Sequence, residues 1–140
     1  MEIKFKRLKE NAKMPKYQHH GDVGMDLYAT ETVTIPPSGH HCFWHGFALE
    51  FPDGYGAFVK DKSSIAKAGL HHLAGIFDAG YRGEYNTLLV NLSDKPYTFE
   101  EGDKVSQLVI MPVAIVNLKE VDILSDSARG EGMFGSTGKK

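Results

Sequence analysis

Short runs in which apolar and polar residues alternate, separated by turn residues, fill most of this chain. Residues 3–8 and 32–35 alternate with a period of two, which is typical of half-buried β-strands. Longer apolar runs at residues 42–51, 85–92 and 105–113 predict buried strands. Residues 55–60 and 114–121 predict two more strands.

Only residues 63–68 have helical character, and this run is too short for more than one or two turns. Many short strands with almost no helix predict an all-β sandwich or barrel. The length of 140 residues suits one domain, which we place at residues 1–124. Residues 125–140 contain four glycines and few core residues, so we expect a mobile C-terminal tail.

Charge and cysteine content narrow the functional classes. The formal net charge is −2, which argues against a protein that coats nucleic acid but allows one nucleotide in a local basic pocket. Cys42 is the single cysteine, which fits a reducing compartment. No apolar run has the length of a signal peptide or a membrane span, so a cytoplasmic protein without membrane contact is expected.

Residues 74–84 contain the main candidate for acid–base chemistry. We expect Ile76 and Phe77 to end a strand, Asp78 to lie in a turn, and Tyr81 to begin the return strand of a hairpin. A carboxylate at the rim of a hairpin can polarise a water molecule. The alternative is an Asx-turn, in which Asp78 only bonds its own backbone.

Other stretches offer groups that bind ions. Ser63 and Ser64 follow Lys62 and open the helical turn, which predicts a phosphate site or, alternatively, a plain N-cap. Asp26 lies between apolar neighbours and predicts either a site for a hydrated cation or a hydrogen-bonded structural carboxylate. Gln107 is polar within an apolar strand and needs a partner, either the backbone or a ligand.

The tail combines residue types that a disordered segment does not require. Phe134 lies near glycines and can stack on a nucleotide base, and Arg129 can bind phosphate oxygens. Ser136 and Thr137 add hydrogen-bond donors, so we interpret the tail as a lid, with a disordered tail as the alternative. No two of the seven histidines have i, i+4 spacing on a predicted helix, as a helical zinc pair requires, so no metal role is expected for them.

Five segments in this order resemble the motifs of the trimeric dUTP pyrophosphatases, or dUTPases. They are GDVGMDLYA, KSSIAKAGL, AGIFDAGYRGE, EGDKVSQLVI and RGEGMFGSTG, and they cover nearly the whole chain. The resemblance implies an all-β, distorted jelly-roll β-barrel with one short helix and a flexible tail, assembled as a homotrimer with shared active sites. It also implies Mg²⁺-dependent hydrolysis of dUTP to dUMP and pyrophosphate, which limits uracil in DNA and supplies dUMP for thymidylate synthesis.

The resemblance also implies a role for each matching residue. Asp78 would activate the water that attacks the α-phosphorus, Tyr81 would lie against the deoxyribose, and Asp26 would contact the metal through water. The base would be bound by Gly75, Ile76, Phe77 and Phe134. The phosphates would be bound by Lys62, Ser63, Ser64, Gln107, Arg129, Ser136 and Thr137.

The chain departs from the family pattern at four positions. Lys62 stands where an arginine is usual, and Asp61 where a proline is usual. Met25 and Met133 replace a tyrosine and a glycine. Since lysine cannot form the bidentate contact of arginine, we expect an altered phosphate contact at Lys62.

Two alternative functions remain open on the sequence. A dCTP deaminase of the same fold would carry a glutamate general base in the strand after the turn. Residues 86–91 contain no carboxylate, and Leu88 stands about where that glutamate would be. The second alternative is a non-catalytic protein that binds a nucleotide or a partner on the same scaffold.

Overall fold

The computed structural model describes residues 1–133, so the predicted lid residues Phe134, Ser136 and Thr137 lie outside it. No helix in this range is long and apolar enough to cross a membrane. The range contains eleven strands and one helix: β1 (Lys4–Arg7), β2 (Met25–Tyr28), β3 (Val33–Ile35), β4 (His40–Trp44), β5 (Phe47–Glu50), β6 (Tyr55–Lys60), α1 (Ser63–Lys67), β7 (Leu70–Leu73), β8 (Ile76–Asp78), β9 (Asn86–Asn91), β10 (Tyr97–Phe99) and β11 (Lys104–Pro112).

All strand pairs between these elements are antiparallel. The largest sheet has the order β2-β11-β6-β8, the second has the order β4-β9-β7, and β1-β5 and β10-β3 form two smaller pairs. The prediction of an all-β, jelly-roll-like fold with one short helix is confirmed. The strands of residues 1–133 form four separate hydrogen-bonded sheets rather than one closed barrel.

Two apolar clusters fill the interior. In the first, the fully buried ring of Tyr85 stacks on Phe77 at 4.2 Å and on Phe47 at 5.4 Å between ring centroids. The second cluster surrounds Phe43 and Phe99, whose rings meet edge to face at 5.0 Å. Burying large aromatic surfaces supplies much of the stability of a small β-domain.

The prediction of one long strand over residues 42–51 is wrong, because the strand breaks at Gly46. The backbone there has a φ of 73°, and a Cβ would lie 2.8 Å from the Cβ of Ala12 and 2.9 Å from that of Lys9. Only glycine tolerates both this conformation and this close approach. The break separates β4 from β5 and lets the backbone of Tyr85 bond to both sides, at His45 and Phe47.

The predicted hairpin at residues 74–84 is also wrong. Strand β8 pairs with β6, where Asp78 lies opposite Gly56, whereas β9 pairs with β4 and β7 in another sheet. A tight turn follows β8 because the N–H of Tyr81 donates to the carbonyl of Asp78 at 3.0 Å. We call residues 75–81 the β8 turn.

The strand predicted over residues 114–121 does not form. Residues 113–124, which we call the C-terminal arm, contain no helix or strand, although they are rich in apolar residues. The side chains of Ile115, Leu118 and Ile123 are more than 80% exposed. A strand requires a neighbouring edge, and no described strand of this chain pairs with the arm.

Candidate functional site

A polar cleft of about 430 Å³ lies beside β2, and we call it the Asp26 cleft. Its position follows from the sheet, because Asp26 on β2 lies opposite Gln107 on β11. One wall is a loop whose turn is closed by Asp22, which accepts the backbone N–H groups of Gln18 and His19. The cleft is lined by Gln18, His19, Asp22, Val23, Gly24, Asp26, Lys62, Lys104 and Gln107.

Asp26 is buried and is neutralised by two lysines. Its Oδ1 accepts a hydrogen bond from Nζ of Lys62 at 2.8 Å. Its Oδ2 lies 2.7 Å from Nζ of Lys104, as an ion pair without good hydrogen-bond alignment. Burial alone raises the pKa of Asp26, but the contacts with Lys104 and Lys62 outweigh it, so the net pKa is lower than usual. Within residues 1–133, Asp26 is therefore a hydrogen-bonded carboxylate, as the structural interpretation predicts.

Gln107 finds a backbone partner. Its Nε2 donates to the carbonyl oxygen of Asp61 at 2.8 Å, which fixes the loop between β6 and α1. A Cβ at position 24 would collide with the amide of Gln107, so any other residue there would displace this side chain. Of the two expectations for Gln107, the structure contains the backbone bond.

Helix α1 begins without a serine cap. The N-cap residue is Lys62, in extended conformation, and no side chain caps the helix. Ser63 and Ser64 are the first two helical residues, and their hydroxyls make no hydrogen bond with any residue of the range 1–133. The plain N-cap interpretation is therefore wrong, and both hydroxyls are available to a ligand.

Asp78 lies in a second cleft, of about 410 Å³, which also contains Ile76, Gly56 and, from the C-terminal arm, Ile115. Asp78 is exposed, and within the described part of the chain its carboxylate makes no hydrogen bond or ion pair. The backbone carbonyl of Asp78, rather than its carboxylate, closes the β8 turn. The Asx-turn interpretation is therefore wrong, and the carboxylate has no partner within residues 1–133.

The backbone of β8 is open on one side because β8 is the last strand of its sheet. The N–H of Val59 donates to the carbonyl of Gly75 at 2.7 Å. Antiparallel pairs alternate, so the N–H and C=O groups of Ile76 point away from β6 toward the open edge. These two groups offer one donor and one acceptor, whereas the carbonyl of Gly75 is already used.

Tyr81 and Phe77 give the β8 turn an aromatic side. The ring of Phe77 is buried and that of Tyr81 is about one-third exposed, with 5.6 Å between the ring centroids. The hydroxyl of Tyr81 donates to the carbonyl of Glu84 at 3.1 Å, which holds the ring in place. Of these two rings, that of Phe77 lines the cleft that contains Asp78, and that of Tyr81 packs beside it.

One chain does not bring all the predicted site residues together. Asp26, Lys62 and Gln107 line the Asp26 cleft, and Ser63 follows Lys62 in the sequence. Asp78 lines the other cleft. Asp26 and Asp78 are three strands apart in the sheet and offset by four residues along β6, so their Cα atoms lie about 20 Å apart. Arg129 lies in neither group, since its Nε donates to the carbonyl of Gly132 in an exposed turn.

Sequence reasoning missed Lys104. It begins β11, pairs with Tyr28 of β2, and reaches Asp26 from there. Its presence in the EGDKVSQLVI segment beside Gln107 was the available signal. Only the register of β11 against β2 shows that the two side chains enter one cleft.

The fold and the two clefts define a jelly-roll-like β-protein with a polar cleft that contains Asp26 and two lysines, and a separate cleft with an unpaired carboxylate. The family profile that matches, over residues 10–138, is that of dUTPase. The deoxyuridine 5'-triphosphate nucleotidohydrolase of Clostridium tetani is 45% identical, covering 98% of this chain and 97% of that protein. The protein of the same name from Crocosphaera subtropica is 40% identical, covering 99% of both.

Solved structures agree with the sequence relatives. A mutant dUTPase of Staphylococcus bacteriophage 80alpha with dUpNHpp is 29% identical, covers 98% of both chains and has a TM-score of 0.92. A mutant dUTPase of phage phi11 of S. aureus, described with a structural Mg(II) ion, is 26% identical, covers 90% of this chain and 100% of that chain, and has a TM-score of 0.84. The chain belongs to the dUTPase family.

Proposed function

We propose that this chain hydrolyses dUTP to dUMP and pyrophosphate, with Asp78 as the general base for water attack on the α-phosphorus. The observation that carries the assignment is the free, exposed carboxylate of Asp78 at the edge of a cleft. The proposal is supported by family membership and by relatives named deoxyuridine 5'-triphosphate nucleotidohydrolase. A positioned general base contributes roughly 10²–10⁴-fold to a rate.

The β8 turn binds the nucleoside in this proposal. Uracil presents a donor and acceptors along one edge, which suits the unpaired N–H and C=O of Ile76. Gly75 and Phe77 hold that strand in place, through the bond to Val59 and through the aromatic core. Tyr81 lies against the deoxyribose and leaves no room for a 2′-hydroxyl.

The phosphates bind at Lys62, Ser63, Ser64 and Gln107. The free hydroxyls of the two serines and the ammonium of Lys62 supply donors for phosphate oxygens. For Lys62 this means exchanging part of its contact with Asp26 for a contact with the ligand. Arg129, with Phe134, Ser136 and Thr137, belongs to a lid at residues 125–140 that covers the base and the γ-phosphate.

In this proposal Mg²⁺ binds together with the substrate. The oxygens of Asp26 both contact lysines, so this carboxylate is suited to hold a water of the hydrated ion rather than the bare ion. When bound, Mg²⁺ neutralises the charge that develops on the triphosphate. Asp26 and Lys62 orient the phosphate chain on the protein side, and Asp78 holds the proton taken from the attacking water.

The active form in this proposal is a cytoplasmic homotrimer with shared sites. Two observations support assembly: the separation of Asp78 from the Asp26 cleft in one chain, and the exposed apolar side chains of the C-terminal arm. Exposed apolar surface of this kind is typical of protein interfaces. The β-domain of residues 1–124 would supply the contacts between copies.

The test is pyrophosphate release from dUTP, dCTP, dTTP and UTP in the presence of Mg²⁺. We expect turnover of dUTP alone, and a loss of roughly 10²–10⁴-fold in kcat for Asp78→Asn. The asparagine has the same shape and retains hydrogen bonding, so the binding of a non-hydrolysable dUTP analogue should change little. Full kcat in Asp78→Asn would contradict the assignment.

The same assay distinguishes the alternatives. Release of ammonia from dCTP would support a deaminase, for which the strand over residues 86–91 offers no carboxylate. Tight binding of dUTP without pyrophosphate release would support a non-catalytic binding protein.

A further inference from the structure

Asp61 stands in the link between β6 and α1, directly before Lys62, and two histidines of β7 contact it. Its Oδ2 lies 2.6 Å from Nδ1 of His71, and its Oδ1 lies 2.9 Å from Nδ1 of His72. One ligand-type atom from each of the three residues lies within 4.8 Å of the other two. We propose that Asp61, His71 and His72 form a binding site for Zn²⁺, separate from the Asp26 cleft.

The carboxylate is fixed before any metal binds. Strand β7 is at the edge of its sheet, and the backbone N–H of His72 donates to Oδ1 of Asp61 at 2.8 Å. The backbone carbonyl of Asp61 accepts a hydrogen bond from Nε2 of Gln107 at 2.8 Å. A ligand held by such contacts loses little conformational freedom when a metal binds.

The separations suit a metal after a small opening of the cluster. Zn–N and Zn–O bonds of about 2.0–2.1 Å at tetrahedral angles place ligand atoms about 3.4 Å apart. Each histidine nitrogen must therefore retreat by less than about 1 Å from the carboxylate oxygen that it contacts, and the two nitrogens, which lie within 4.8 Å of each other, must come to about 3.4 Å. The side chains of His72 and Asp61 are 12% and 20% exposed, and that of His71 is 52% exposed, so two ligands are held and the third faces solvent.

The chemistry of the ligands selects the metal. Two imidazoles and one carboxylate favour Zn²⁺ over Mg²⁺, which prefers oxygen ligands and retains its waters. The neighbouring ammonium of Lys62 is directed to Asp26, so it does not compete for Asp61. The helical i, i+4 spacing does not reveal this site, because adjacent residues of an edge strand and a loop carboxylate create it.

The test uses the full-length, tag-free protein after treatment with a chelator, and measures Zn²⁺ binding by calorimetry and by thermal unfolding. We expect one Zn²⁺ per chain at this site and a rise in unfolding temperature of roughly 5–10 °C at a hundredfold excess over the dissociation constant. Mg²⁺ at the same concentration should give no rise. Neither readout uses dUTP, so failure here leaves the proposed hydrolysis untouched.

His71→Asn and His72→Asn should each weaken Zn²⁺ binding by at least about tenfold. The matched control is His41→Asn, which removes a histidine that also contacts a carboxylate, at 3.0 Å from Glu31. This control should keep full affinity. If His72→Asn does not fold, the His71→Asn variant, which changes an exposed side chain, provides the test by itself. Unchanged Zn²⁺ affinity in His71→Asn, or no Zn²⁺ binding by the wild-type protein, would overturn the proposal.

Discussion

The Asp26 cleft and the β8 turn each contain a carboxylate, and the two carboxylates differ in burial and in their ionic partners. Asp26 is 4% exposed and contacts the ammonium groups of Lys62 and Lys104. Asp78 is exposed at a sheet edge and contacts no cation within residues 1–133. The difference shows that the same residue type serves structure in one place and remains available for chemistry in the other.

The surrounding elements explain the contrast. Asp26 lies on β2, where β11 brings Lys104 and the loop after β6 brings Lys62 from distant parts of the chain. Asp78 ends β8, whose other side has no neighbouring strand. A buried carboxylate needs ionic or hydrogen-bond partners, because burying an unpaired charge is costly. A carboxylate at an open edge needs none.

The largest expected effect comes from separating the two regions onto different chains. Asp78→Asn removes the base, and the double variant Lys62→Met, Gln107→Leu removes two donors from the Asp26 cleft. If each site combines regions from two neighbouring copies of a cyclic trimer, every mixed trimer has both regions native in one of its three sites. Purified mixed trimers should therefore regain roughly a third of wild-type kcat for dUTP.

Trimers of each variant alone give the baseline for this experiment. Two different affinity tags, removed after purification, isolate the mixed trimers from the parents. Activity of mixed trimers no higher than that baseline would show that one chain supplies the whole site.

A second effect concerns the strand under the Asp26 cleft. His45 is fully buried, with Nδ1 donating to the carbonyl of Tyr28 on β2 at 2.8 Å. Its Nε2 therefore accepts from the hydroxyl of Thr87 at 2.8 Å, in a chain that continues to Ser106 at 2.7 Å. Burial lowers the pKa of His45 to about 4, and the bond to the Tyr28 carbonyl offsets only part of this.

The unfolded state then binds a proton more readily than the folded state, so acid favours unfolding. Stability should be constant above pH 6.5 and fall by about 3 kcal/mol as the pH drops from 6.5 to 4, since 1.36 × (6.5 − 4) ≈ 3.4. Denaturant unfolding at fixed chain concentration measures this change. The lowered pKa values of Asp26 and Asp61 act in a separate window, below about pH 4.

His45→Gln should abolish the slope between pH 6.5 and 4, whereas His41→Asn should retain it. If His45→Gln does not fold, NMR titration of His45 in the wild-type protein replaces it. A measured pKa near 6.5 for that ring would contradict the prediction.

The comparison also shows what the sequence can predict. The period-two runs locate β1 and β3 closely, because alternation depends only on neighbouring residues, and the strand predicted over residues 55–60 coincides with β6. The break at Gly46 and the pairing of β8 with β6 depend on contacts with distant segments, at Ala12 and Gly56. No local pattern contains that information.

The candidate site divides in the same way. The motifs identify Asp78 and Gln107 by residue type, but their separation in one chain follows only from the strand order. For Asp26 the sequence left a cation site and a paired carboxylate open, and the contact with Lys104 that shows the pairing follows only from the fold. The sequence could not predict the contact of Asp61 with His71, because the two residues lie on different elements.

The smallest predicted effect compares the two carboxylates directly. Asp26→Asn leaves two ammonium groups without their carboxylate and should destabilise the fold by about 1–3 kcal/mol, less than a fully buried pair because both lysines are partly exposed. Asp78→Asn should change stability by less than about 0.5 kcal/mol, since its carboxylate has no partner to lose. Urea unfolding of both variants at one chain concentration measures the difference. Equal destabilisation by the two substitutions would mean that Asp78 also has a structural partner, in the assembled protein if not within one chain.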